Sequence, residues 1–197
     1  MLLSQGAGPM PLKTEIRAPH RAVHRYLPAR SFPPYRFVPG LQPHPVRDPR
    51  GHSHFAPPRA ASSGGWNPAA WQSTEEWLYG VDLFNAFYFW EAHESWETGW
   101  ATLPRHSAPA LLLQGLIQIA AALLKIHLGS RDGARKLSSR GLDKLSKAAE
   151  DAPRLLGLDV HQTGAEFERY FRPLSERALP PLDASVPILS LSGEWDA

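Results

Sequence analysis

The sequence predicts an all-α fold, a single small bundle of about five helices with an extended, proline-rich N-terminal arm packed on it. Three observations carry this. Apolar residues recur at helical spacing through most of the chain from Ser73 to Pro173, no strand longer than a few residues is evident there, and the first third follows neither period. Residues 1–72 instead hold thirteen of the twenty prolines and five of the nine histidines, so this part must run extended, as polyproline segments and turns. A length of 197 residues with seven tryptophans fills one core amply and is short for two.

The chain therefore divides into residues 1–25, expected to be disordered; an arm rich in Pro, His and Arg over 26–72; the bundle over 73–175; and an irregular tail over 176–197. The middle of the arm carries Tyr26, Phe32, Tyr35, Phe37, Val38, Leu41 and Phe55, too aromatic for a plain linker, so residues 26–56 should be ordered by packing on the bundle. The run Ala60 to Gly65 has the composition of a flexible joint. Charge supports docking. Residues 1–73 carry nine Arg and Lys against two acids, a balance of +7, while residues 74–197 carry twelve against seventeen, a balance of −5. A basic arm can bind nucleic acid, but an acidic body on the same chain meets it at high effective concentration, and nucleic acid is the lesser expectation.

Cysteine is absent, which excludes disulfides, thiolate catalysis and cysteine metal sites. The opening residues hold no apolar run long enough for a signal peptide or a membrane span, so a cytoplasmic protein is expected; Met10 offers a second translation start.

In order along the bundle, Ser73 stands three residues before Glu76 as a capping box, opening a short helix that should stop at Gly80. Asp82 can cap a central helix over 83–100. At 100° steps its residues place Leu83, Ala86, Phe87, Trp90, His93, Glu94 and Glu97 on one broad face. Ser107 caps the third helix, with Pro109 tolerated in its first turn, and LLLQGLIQIAAALLKIHL runs on to Gly129. This run approaches membrane length, yet Gln114, Gln118, Lys125 and His127 mark it as a buried bundle helix; Gly115 and Ala120 to Ala122 would admit a close neighbour. A stripe of Ala134, Leu137, Gly141, Leu145 and Ala148 gives a fourth, amphipathic helix over 131–149. Its cationic edge, Lys136, Arg140, Lys144 and Lys147, lacks interleaved aromatics and reads as a solvated face. Asp159 caps a fifth helix over 160–172, and the tail keeps one apolar patch at Val186 to Leu191.

The chemistry concentrates in FWEAHESWETGW, where His93, Glu94 and Glu97 follow the pattern His-Glu-x-x-Glu. In the zinc helix His-Glu-x-x-His, the first and last residues bind metal and the glutamate is the base. By that analogy His93 and Glu97 are metal ligands and Glu94 is the catalytic base. A glutamate at the last position makes the site harder, favouring Zn, Mn or Fe as the divalent cofactor. Two ligands are not a site, so His52 and His54 of the arm, on one side of an extended strand, are candidate further ligands. Glu91, Gln114, Gln118, His44, Asp48, Arg47, Arg50 and His127 form the candidate supporting set, the arginines also as anchors for a small anionic ligand. The competing reading is a structural hydrogen-bond network, in which Gln114, Gln118, tryptophan indoles or an arm arginine satisfy Glu94 and Glu97.

These blocks, LFN, FWEAHESWETGW, QGLIQIAAALLKIHLGS and GARKL, resemble helical domain-of-unknown-function family 309 across residues 76–150. The resemblance implies a small all-α bundle and no particular activity. It extends to PHPVRDPRGHS, which implies that the arm belongs to the functional unit, and departs at Ser130, where the family usually has asparagine. The expectation is a divalent-metal-dependent hydrolase; the alternative is a non-catalytic binding or assembly domain whose polar cluster fixes helix register. Substrate and oligomeric state have no signature.

Overall fold

The computed structural model of the chain describes residues 23–56 and 66–193. The bundle is all-α, as expected, with five α-helices and one tiny hairpin: α1 (Glu75–Asn85), α2 (Phe89–Trp100), α3 (Ala108–His127), α4 (Arg131–Asp151), β1 (Arg154–Leu155), β2 (Leu158–Asp159) and α5 (Val160–Phe171). A 3-10 segment, Pro68–Ser73, leads into α1. Ser107 caps α3 through the Ala110 amide, and Asp159 caps α5 through the Gln162 amide at 2.9 Å.

α3 is the axis, packing most extensively on α4 and α2. It is long and apolar enough to cross a membrane, yet over half of its most apolar window, 56%, is buried inside the bundle. Its contact with α4 is a glycine crossing. A Cβ on Gly115 would lie 3.0 Å from the Gly141 carbonyl oxygen, and one on Gly141 would lie 2.9 Å from that of Gly115. Leu112, Leu113, Leu116, Ile119 and Leu123 of α3 bury fully against Trp77, Phe84, Phe89 and Trp96 of α1 and α2 and against Phe167 of α5. Each such side chain contributes roughly 1.5–3 kcal/mol of transfer free energy.

Two expectations about the first helices are corrected. Gly80 does not end α1, because its missing side chain makes room for a neighbour: a Cβ there would stand 2.1 Å from Trp96 Nε1. Residues 83–100 do not form one helix either. The chain breaks at Ala86–Tyr88, with Phe87 in the left-handed region at φ 68°, a conformation seldom adopted by a bulky residue. Tertiary packing holds it, for Phe87 is buried with its ring 5.3 Å from that of Phe89, and the Phe87 and Tyr88 amides close on Phe84 O and Leu83 O. Asp82 accordingly lies inside α1 rather than capping a helix.

Between α4 and α5 the chain makes a two-residue hairpin, Leu156 (φ 51°) and Gly157 (φ 79°), as such turns require. The Leu156 carbonyl accepts from the Trp77 indole at 3.1 Å, tying the hairpin to α1. The tail returns along the bundle: Asn85 pairs with the Leu189 backbone in both directions at 2.9 Å, and Val186, Leu189 and Leu191 are buried. The expected joint, Ala60 to Gly65, lies outside the described residues, as do residues 1–22.

Candidate functional site

Two sets of acids come from α1 and α2. The first is buried and holds the arm. Asp82, with no side-chain exposure, accepts from Arg25 Nε at 2.9 Å, Tyr26 N at 2.8 Å and Leu27 N at 2.9 Å, so one carboxylate satisfies a guanidinium and two consecutive amides. Glu91 is 5% exposed; its Oε1 accepts from Phe37 N at 2.8 Å and lies 3.3 Å from His52 Nε2, while its buried Oε2 has no hydrogen-bond partner. Burial pushes the Glu91 carboxyl up to about 7, against lesser opposing pulls from the Phe37 amide and the Arg36 guanidinium. Burial also lowers His52, since neither group gives up water easily.

The arm reaches these acids as a closed knuckle. Tyr35 OH donates to Pro43 O at 2.8 Å and accepts from His52 N at 3.3 Å; the His44 imidazole Nδ1 accepts from Val46 N and Arg47 N; His54 Nδ1 meets Val46 O at 2.8 Å. Gly51 is required at the crossing, where a Cβ would stand 2.2 Å from Pro45 O. Asp48 accepts from Arg50 N, Nε and a terminal guanidinium nitrogen, and this Arg50 contact holds its carboxyl down at about 2. Arg50 is thus spent within the arm. Arg47 is exposed and makes no side-chain hydrogen bond among the described residues.

The second set lies on the solvent side of α2. Nitrogen or oxygen atoms of His93, Glu94 and Glu97 all fall within 4.8 Å of one another, the two former residues half-buried and Glu97 exposed. The sequence placed these three on the face shared with the core aromatics. In the structure the buried face of α2 is Phe89, Glu91, Ala92, Ser95 and Trp96, and the break at Phe87 has rotated the pattern, leaving His93, Glu94 and Glu97 at the rim. His93 Nδ1 is hydrogen-bonded to the Trp90 carbonyl; a carbonyl oxygen only accepts, so this contact calls for the proton on Nδ1 and leaves Nε2, 3.5 Å from Glu94 Oε1, as the candidate ligand atom. A histidine held in this way by a backbone carbonyl is the usual outer support of a metal ligand.

The arm histidines do not join this group. His52 faces Glu91, and His54 is turned back on Val46 O inside the knuckle. His44 comes nearest by contact, its ring 5.6 Å from that of Trp90, which in turn stands 5.7 Å from the His93 ring. Gln114 and Gln118 are half-buried on α3, and Gln118 Oε1 is shielded from solvent without a hydrogen-bond partner. His127 sits in the last turn of α3, thirteen residues and so about 20 Å along the helix from Gln114. Sequence reasoning did not single out Arg25, Asn85 or Trp90 as functional, nor Asp82 as an anchor. The one available signal was charge, a lone acid inside an apolar run facing a basic arm.

Three ligand-type side chains from little more than one helical turn, with an exposed outer side, suit a harder divalent ion that keeps waters or substrate in its remaining positions. No curated protein matches the chain. A family model does match, and it covers residues 77–137, from Trp77 of α1 to Leu137 of α4, a span that includes Asp82, Glu91, His93, Glu94 and Glu97 but not the arm: it is the model described as Domain of unknown function (DUF309), the family that the motifs resemble.

Proposed function

We propose that this chain is a divalent-cation-binding helical domain, with His93 and Glu97 as ligands, and that it acts as a metal-dependent hydrolase in which Glu94 is the base. The observation that carries the reading is the convergence of His93, Glu94 and Glu97 within 4.8 Å. The Trp90 carbonyl supports it by presenting His93 Nε2 outward. A divalent ion held by His93 and Glu97 would supply Lewis-acid chemistry. The protein's own part is to hold the imidazole in one tautomer, to set Glu94 Oε1 beside it, and to leave Glu97 in water where a substrate can approach.

Elemental analysis and calorimetric titration of the untagged protein with Zn²⁺, Mn²⁺ and Fe²⁺ test the reading. One ion per chain, lost in His93→Ala and weakened in Glu97→Gln, is expected; no binding by the unsubstituted protein removes it. A second reading, a non-catalytic assembly domain, is favoured by the use of Asp82, Glu91 and His52 to hold the arm, and by the fact that among the described residues the group of His93, Glu94 and Glu97 comes from α2 alone.

A further inference from the structure

Trp90 stands in contact with both the arm and His93. The Trp90 carbonyl holds His93 Nδ1. The Trp90 ring meets three rings edge-on: Phe37 at 5.2 Å and 80°, His44 at 5.6 Å and 78°, and His93 itself at 5.7 Å and 74°. Two of these three belong to the arm. His44 is not a loose neighbour, because its Nδ1 is fixed by the Val46 and Arg47 amides and its ring lies 5.1 Å from Phe37, whose own amide is bound to Glu91. A continuous path of packed groups thus runs from the closed knuckle through His44 and Trp90 to the imidazole on the outer side of α2.

We infer that His44 is a positioning residue for His93, acting through Trp90, and that docking of the arm regulates cation affinity at His93, Glu94 and Glu97. The regulatory half rests on the cation site proposed above; the positioning half does not. The physical basis is rotamer selection. Edge-to-face aromatic contacts prefer narrow geometries, so with His44 and Phe37 seated Trp90 has one ring orientation. His93 then has one place to put its ring and one tautomer. Without them the Trp90 side chain is released at the start of α2, and His93 samples orientations in which Nδ1 leaves the carbonyl. Affinity falls in proportion to the fraction of chains with Nε2 presented. Coupling of this kind is reciprocal, so a bound ion should in turn hold the arm down.

The test uses the full chain, Zn²⁺ alone as probe, and nitrogen-resolved NMR of the histidine rings at pH 8, where imidazoles are neutral. In the unsubstituted protein His93 should show the Nδ1–H tautomer. His44→Ala should give mixed tautomers and about five-fold weaker Zn²⁺ binding, less than the loss typical of a direct outer partner. His44→Phe, which keeps an aromatic edge on Trp90, should restore both. Saturating Zn²⁺ should slow hydrogen exchange of the Phe37 amide. A His93 tautomer unchanged by His44→Ala overturns the inference whatever happens to affinity, and so does failure of His44→Phe to rescue, which would assign the effect to the Val46 turn. If the tautomer responds but the unsubstituted protein binds no Zn²⁺, the cation reading and the regulation built on it fall, while the positioning role stands.

Discussion

Asp82 and Glu91, buried beneath the arm, and Glu94 and Glu97, toward the rim of α2, are the same chemistry in two environments. The buried pair is engaged by the arm: between them the two side chains accept from Arg25, Tyr26 N, Leu27 N and Phe37 N, with His52 at hydrogen-bond distance from Glu91. The outer pair lies nearer to solvent, with Glu94 Oε1 3.5 Å from His93 Nε2. Burial decides the division. A carboxylate removed from water must collect donors or keep its proton, whereas one at the rim can stay ionised and available. The acids that look most conspicuous in the sequence are therefore of two kinds, one engaged by the arm and one nearer to solvent.

The sharpest way to break the comparison is Asp82→Ala. It strands two amides and the Arg25 guanidinium, and we expect a loss of about 3 kcal/mol in urea unfolding, with Zn²⁺ affinity changed only through the arm. A loss below about 0.5 kcal/mol would mean that the arm is not held from this side.

Next in size is the pH response of the Glu91–His52 contact. Glu91 has its folded value raised to about 7 from 4.5, so its stabilising contribution is complete below 4.5 and is lost as pH rises through 7. His52 has its folded value lowered from 6.5, so its contribution is complete above 6.5 and is lost as pH falls through the folded value. The two oppose each other below pH 6.5, where the unsubstituted chain should vary less with pH than either variant. His52→Gln should expose the Glu91 term as stability declining by roughly 1–3 kcal/mol with rising pH. Glu91→Gln should expose the opposite slope. Parallel curves for all three proteins would show that the contact does not titrate.

A smaller effect is expected from Gly51→Ala, whose methyl would push against Pro45 O and open the knuckle. Limited proteolysis should then cut within residues 44–54 several times faster, at a cost of about 1–2 kcal/mol. Smallest for stability, and largest for binding, is His93→Ala at the rim: a melting curve within about 0.5 kcal/mol of the original, with Zn²⁺ binding abolished. If His93→Ala unfolds the chain, the two sets of acids are not distinct in kind.

Much of the scaffold was legible because it obeys local rules. α3, α4 and α5 follow the 3.6-residue period, their caps Ser107 and Asp159 sit where a hydroxyl or carboxylate can meet free amides, and Gly115 marks the closest approach of α3 to α4. The break at Phe87 was not legible, since no glycine or proline stands there; it exists because Phe87 and Phe89 pack together and the chain must turn to let them. That one turn misassigned the faces of α2, placing His93, Glu94 and Glu97 inward when they lie at the rim. Asp82 was misread for a related reason. An aspartate ahead of an apolar run is a good cap by local rules, and only the fold reveals that Arg25, fifty-seven residues earlier, reaches it. The grouping of His93, Glu94 and Glu97 itself needed only helical spacing.

The contacts that seat the arm are long in sequence: fifty-six residues separate Tyr26 from Asp82, fifty-four separate Phe37 from Glu91, and the Leu191 amide reaches back one hundred and sixty-five to the Tyr26 hydroxyl. During synthesis the arm leaves the ribosome before α1 and α2, which carry its acids, and the Leu191 bond can close only after the whole bundle has followed. A segment made early is thus secured by segments made later. Until then its aromatic rings and arginines are open to the rest of the cell, and a nascent chain stalled before α2 would display an arm with nothing to hold it.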